Sequence, residues 1–174
     1  MTGKEFLNAV SNRGTDLLQI FLDILEETSS KYCVIGGLAV NAYTEPVVSL
    51  DLDMVIVAGE LDKVIAASEA AGLKVQELEH SINLSAADSD LRIQIQTDPR
   101  YQDFLQRAEP HDVLGYKMHV AAAEDVLTGK VWAWSDNTRR KSKRHKDLAD
   151  IVRLVESHPH LRENLPAELL PELD

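Results

Sequence analysis

Residues Cys33 to Val57 read CVIGGLAVNAYTEPVVSLDLDMVIV, and the fold turns on how this stretch is parsed. An apolar run, Cys33 to Ile35, meets the pair Gly36-Gly37. A short helix over Leu38 to Tyr43 follows, then a second apolar run from Leu50 to Val57 that carries Asp51 and Asp53. Glycines directly after a strand let the backbone approach a bulky anion, and the first N–H groups of the next helix suit a phosphate. On a strand, residues i and i+2 point the same way, so Asp51 and Asp53 present two carboxylates side by side while Leu50 and Leu52 turn away. Two carboxylates beside a phosphate cradle suit a divalent cation. The run Met54 to Val57 is apolar on both faces, which places this strand inside a sheet covered on both sides.

Working outward, Tyr32 to Ile35 is expected to be a buried strand. It is preceded by an amphipathic helix over Thr15 to Thr28, capped by Thr15 or Asp16 after Gly14, and by a shorter helix over residues 4 to 12 with Phe6, Leu7 and Val10 inward. Leu61 to Ala71 reads as a helix closed by Gly72 in a left-handed cap. Strands are expected at Lys74 to Leu78 and Ile82 to Leu84. A half-buried strand follows at Leu91 to Gln96, where Leu91, Ile93 and Ile95 alternate with Arg92, Gln94 and Gln96. A short helix over Pro99 to Ala108 leads to extended chain over His111 to Val120, broken at Gly115. Two helices, Ala123 to Trp134 and Arg139 to Glu156, precede a proline-punctuated tail with one more turn. The fold class is therefore α+β, a mixed β-sheet with flanking helices and a helical C-terminal part. Residues 1–174 are read as one domain, with residues 15–121 as the core and residues 122–174 as helices packed on it.

The composition, 44% hydrophobic and 27% charged, is that of an ordinary globular chain. Eighteen basic residues against 29 acidic ones give a net charge of −11, which excludes broad non-specific binding to nucleic acid or anionic membrane. Six of the basic residues lie between Arg139 and Lys146 without an acid among them, so a basic block sits on an acidic body. That block is either a solvated helix start, paired internally with Asp147 and Asp150, or a contact for an anionic partner. Cys33 is the lone cysteine, which excludes a disulfide framework, and the six histidines show no metal-ligand spacing. No apolar run reaches membrane-spanning length, and a cytoplasmic location is expected. Trp132 and Trp134 fall on different helix faces, one suited to the core and the other to the surface or a stacked base.

The order strand, Gly-Gly turn, helix, strand with Asp-x-Asp resembles the nucleotidyltransferase superfamily. EDVLTGKVWAWSD followed by RRKSKRHKDLADIVRL resembles its AbiEii-like branch, in which a helix lysine precedes an R-x-K-D-x-x-D helix and which includes toxins of type IV toxin–antitoxin systems. The resemblance implies the nucleotidyltransferase fold and a nucleotidyl transfer from an NTP to an acceptor hydroxyl. Asp51 and Asp53 would be catalytic and would hold Mg²⁺. Gly36, Gly37, Lys130, Arg144, Lys146 and Asp147 would bind the nucleotide. Implied partners are an RNA acceptor such as tRNA, or a protein, and a cognate antitoxin.

Many members of the superfamily carry a third carboxylate on a neighbouring strand. Here the corresponding strand offers Gln94 and Gln96, and an amide cannot act as a general base. Asp90, Asp98 and Asp147 are the candidates to replace it. Leu38 also stands where a serine is common. Three readings remain: a nucleotidyltransferase acting on RNA or protein, a nucleotide- or protein-binding module with a degenerate site, and an antibiotic-type small-molecule nucleotidyltransferase.

Overall fold

The computed structural model describes residues 1–11 and 15–174. A seven-stranded mixed sheet forms the centre. Its strands are β1 (Tyr32–Ile35), β2 (Asp51–Ile56), β3 (Lys74–Glu77), β4 (Ser81–Ser85), β5 (Arg92–Gln96), β6 (Glu109–Val113) and β7 (Tyr116–Val120), in the order β3-β4-β5-β2-β1-β7-β6. The pairs β1–β7 and β2–β5 are parallel and the rest antiparallel. β1 and β2 lie in the middle because they are apolar on both faces: Cys33, Val34, Leu52, Met54 and Val55 are fully buried. Among the described residues no helix is long and apolar enough to cross a membrane.

The helices are α1 (Gly3–Ser11), α2 (Leu17–Glu27), α3 (Gly36–Val40), α4 (Leu61–Ala70), α5 (Ala123–Ser135) and α6 (Lys141–Ser157). Helix α2 buries Leu17, Leu18, Phe21, Leu22, Ile24 and Leu25, and Asp16 caps it by accepting a hydrogen bond from the backbone N–H of Gln19. α4 ends at a Gly72 with φ of +85°. α2 and α4 pack on each other, and α3, α5 and α6 form a second group of mutually packed helices.

Several boundaries depart from expectation. In α1 only Leu7 and Ser11 are buried, whereas Phe6 and Val10 are exposed. Three- and four-residue spacing places Phe6 and Val10 one above the other, on a different side from Leu7 and Ser11. Asn12 and Gly14, which entered the reading of the first two helices, lie outside the described residues. α3 starts at Gly36 rather than Leu38. α6 starts at Lys141, because the Arg139 N–H bonds back to the Asp136 carbonyl and Arg140 is extended as the N-cap. Residues Pro99–Arg107 form a 3₁₀ helix, and the tail holds two 3₁₀ segments, Pro159–Asn164 and Ala167–Glu172, rather than one turn.

Candidate active site

The site begins where β1 ends. Antiparallel pairing sets Ile35 opposite Asp53, so the chain leaving β1 turns directly over that carboxylate. Gly36 makes the turn with φ of +71°. A Cβ there would collide with the Asp53 carboxylate and lie 3.0 Å from its Cβ, so glycine is required on both steric and conformational grounds. Gly37 is different. It has no positive φ, and a Cβ would meet Ser49 Oγ at an ordinary 3.6 Å. Leu38 is core, at 1% exposure. A hydroxyl nevertheless lies close by, since Ser49 Oγ sits beside Gly37 and bonds the backbone of Asp51, accepting from its N–H at 3.3 Å and donating to its carbonyl at 3.2 Å.

Asp51 and Asp53 share one face of β2 but live in different environments. Asp51 lies at the open edge, with Oδ1 2.9 Å from Arg92 Nη2 and Oδ2 3.5 Å from Lys143 Nζ. The Arg92 side chain is 68% exposed, so this pair is weak and easily exchanged. Asp53 forms no ion pair among the described residues. Burial pushes its carboxyl above the usual range; the charge of Lys130 opposes this, and the charge of Asp51 adds to it.

Facing this strand, α5 and α6 carry a second charge cluster. Lys130 is buried with its ammonium 3.1 Å from Asp147 Oδ1 and 2.8 Å from Asp150 Oδ2. Arg139 Nε lies 2.7 Å from Asp147 Oδ2, and Arg153 Nη1 2.9 Å from Asp150 Oδ1. Burial works against the charge on Lys130, but its two carboxylates outweigh that and raise its pKa above the usual lysine value. Arg153 also donates to Thr44 Oγ1 at 2.9 Å and to Asn41 Oδ1 at 3.3 Å, which ties α6 to the loop after α3.

Between the clusters lies a cavity of about 100 Å³ lined by Gly36, Asp53, Gln94, Gln96, Lys130 and Asp147 together with Tyr101 and Arg139. It adjoins a hollow of about 410 Å³, with Gln96, Tyr101, Ala133 and Arg139 in both linings. A further hollow, about 960 Å³, lies between α2 and β7 and touches none of these residues. Of the residues expected to bind a nucleotide, Gly36, Lys130 and Asp147 reach the cavity with Asp53. Gly37, Asp51, Arg144 and Lys146 do not line it. Arg144 Nε donates to the Trp134 carbonyl at 2.6 Å, with its guanidinium over the Trp134 ring, and Lys146 is exposed. Trp132 packs on Phe104 and Tyr101 and forms a wall of the larger hollow.

The position for a third acid is clear from the register. Arg92 sits opposite Asp51 and Gln94 opposite Asp53, so neither neighbour is a carboxylate. Asp98 is engaged by Arg100, Asp147 stands in the buried ion pairs across the cavity, and Asp90 lines neither cavity. Among the described residues no group of three or more His, Cys, Asp and Glu could hold a metal. Two carboxylates do fit Mg²⁺, which takes one or two protein carboxylates and completes its shell with water and substrate phosphates.

Residue type and spacing pointed to the acids and the first glycine but not to Arg139 as a cavity residue distinct from its basic block, nor to Tyr101. Arg92 carried a usable signal, because strand alternation puts it on the face of Gln94 and Gln96.

A family model described as "Nucleotidyl transferase AbiEii toxin, Type IV TA system" matches residues 24–173. No curated protein matches the chain. Among solved structures, the antibiotic-resistance factor ANT(2″)-Ia is similar with a TM-score of 0.57 at 15% identity, over 90% of this chain and 86% of that one. The lincosamide antibiotic adenylyltransferase LnuA, solved with lincomycin, has a TM-score of 0.57 at 16% identity, over 82% and 99%. An antigenic nucleotidyltransferase-like protein from Paracoccidioides brasiliensis has a TM-score of 0.57 at 16% identity, over 97% and 88%. At these identities the likeness is one of fold, the nucleotidyltransferase fold.

Proposed function

The chain belongs to the AbiEii nucleotidyl transferase toxin family, and from that premise we propose that it moves a nucleotidyl group from an NTP to an acceptor hydroxyl at the cavity between Asp53 and Arg139. The observation that carries this reading is Gly36, whose left-handed backbone turns the chain out of β1 directly over the Asp53 carboxylate, where no side chain would fit. Asp51 and Asp53 would hold Mg²⁺, which supplies charge neutralisation for the triphosphate and its leaving pyrophosphate. The backbone at Gly36 and Gly37 then flanks the phosphates. Arg139 commits its Nε to Asp147, and its terminal nitrogens would serve as phosphate donors in the cavity it lines. Lys130, held by Asp147 and Asp150, keeps a fixed positive charge behind the phosphates. The acceptor oxygen bonds to the α-phosphorus as the bond to pyrophosphate breaks. Its proton leaves to water at the open edge by Asp51, because Gln94 has no basic group.

The exposed part of the basic block, with Lys146 on its outer face, favours an RNA acceptor such as tRNA over a protein. A cognate antitoxin and a cytoplasmic setting accompany this reading. We take residues 15–121 as the core and residues 122–174 as the helical part that completes the site. The test uses labelled NTPs, Mg²⁺ and either total RNA or cell extract. Label should pass to the RNA fraction, and transfer that persists in an Asp51→Ala, Asp53→Ala double variant would remove this site from the mechanism.

The register of Gln94 against Asp53 favours one second reading, a nucleotide-binding module without turnover. Mg²⁺-dependent NTP binding by calorimetry, with no transfer to any acceptor, would establish it.

A further inference from the structure

The strand face that carries Gln94 continues one step further to Gln96, on the seam between the two hollows. Its Oε1 is buried and receives no hydrogen bond from any described residue. A buried carbonyl oxygen without a donor is unfavourable unless water or a ligand supplies one. The larger hollow beyond it is unsuited to a triphosphate. Asp98 and Asp136 are in its lining, Arg100 is already bound to Asp98 through Nε and Nη2 at 2.9 and 2.8 Å and lies over the Trp132 ring, and Arg139 is shared with the smaller cavity, while Trp132 and Tyr101 contribute aromatic lining. A lining of aromatic residues with few uncommitted cations suits a neutral, planar group.

We propose that this hollow takes the nucleoside of the bound nucleotide and that Gln96 reads it, with Oε1 accepting a hydrogen bond from a donor group of the nucleoside. The inference rests on the triphosphate lying at Asp53 and Arg139, since Gln96 lines the same cavity on the side toward Trp132. The donor is either an exocyclic amine of the base or a ribose hydroxyl, and both present N–H or O–H to a carbonyl. Gln96 is therefore a specificity-determining residue: it discriminates among nucleotides that share one triphosphate.

Calorimetry on the full chain with Mg²⁺ separates the possibilities. CTP against UTP exchanges an amine for a carbonyl on nearly the same ring, and CTP against 2′-deoxy-CTP or 3′-deoxy-CTP removes one hydroxyl. At least one of these pairs should differ about tenfold or more in affinity in favour of the donor-bearing member, as the loss of a hydrogen bond to a buried acceptor predicts. The pair that differs identifies the donor. Gln96→Met, similar in volume and without the carbonyl, should bring the two affinities of that pair together, with circular dichroism confirming the fold. Equal affinities across every pair in the unaltered protein, or a preference that survives in a folded Gln96→Met variant, overturns the inference. Inorganic tripolyphosphate provides the separate arm. If Mg²⁺-dependent tripolyphosphate binding is absent, or unchanged by Asp53→Ala, the triphosphate reading itself fails. If it is present and Asp53-dependent while no nucleoside pair is distinguished, only the role of Gln96 fails.

Discussion

Two charge clusters face each other across one small cavity, and they are built on opposite plans. On β2 the pairing is uneven: Asp51 is held by two partly exposed cations, and Asp53 has no ion-pair partner among the described residues. In the cluster on α5 and α6 both aspartates are doubly matched, with Asp147 between Lys130 and Arg139 and Asp150 between Lys130 and Arg153. The matched cluster positions helices, whereas the unmatched one is left to meet something else. Burial separates the two plans. Asp147 and Asp150 are 2% and 4% exposed, where an unpaired charge is very costly, while Asp51 and Asp53 are only partly buried.

The sharpest way to break this comparison is Lys130→Met. Removing the one cation shared by two buried carboxylates leaves both short of a partner, and stability should fall by about 3–5 kcal/mol in denaturant titration. A loss within about 1 kcal/mol would mean that the helical cluster is no strut and that Lys130 is free to serve the ligand alone.

Asp53→Asn tests the other cluster, with the opposite sign. The Asp53 carboxyl is raised in the folded chain by burial, so the folded state binds its proton more tightly than the unfolded state does. Its contribution to stability is present below the ordinary carboxylate range and is lost as pH rises through the raised folded value. The variant should therefore melt higher than the unaltered protein at neutral pH, with the gain shrinking as pH falls toward 4. Equal melting temperatures throughout would show that Asp53 carries no stored cost. Transfer activity and stability then move in opposite directions at this one residue.

The smallest effect is expected at Arg92→Ala. Its pair with Asp51 is largely exposed, so stability should change by less than about 1 kcal/mol. Releasing Asp51 should also lower the Mg²⁺ concentration needed for nucleotide binding by a few-fold, measured by titrating Mg²⁺ at fixed NTP. A rise in that requirement would make Arg92 a contributor to the site rather than a competitor.

The central part of the fold was legible because its signals are local. Apolar runs marked β1 and β2, period-two alternation placed Gln94 and Gln96 on one face, and the Gly-Gly pair marked the turn. The same locality explains what spacing left open. Phe6 and Val10 are apolar, and only the surrounding structure decides which side of α1 is covered. Arg144 and Lys146 resemble ligand residues by motif, yet a helix turns consecutive side chains through the whole circle. The cation of that block that reaches the cavity is Arg139, in the turn before α6.

The order of the elements, the glycine at the strand end and the shared face of Asp51 and Asp53 follow from the sequence itself, because backbone sterics and the period of a strand operate between near neighbours. Tertiary structure alone decided which charges are paired. Lys130 meets Asp147 across 17 positions and Arg92 meets Asp51 across the β2–β5 register, distances that no local rule sets. It also decided that Gln94, and not Gln96, stands directly opposite Asp53, and that Gln96 Oε1 is left without a donor among the described residues between two hollows. Charge pairing and desolvation depend on what surrounds a group in space, and that is set only when the sheet and its helices come together.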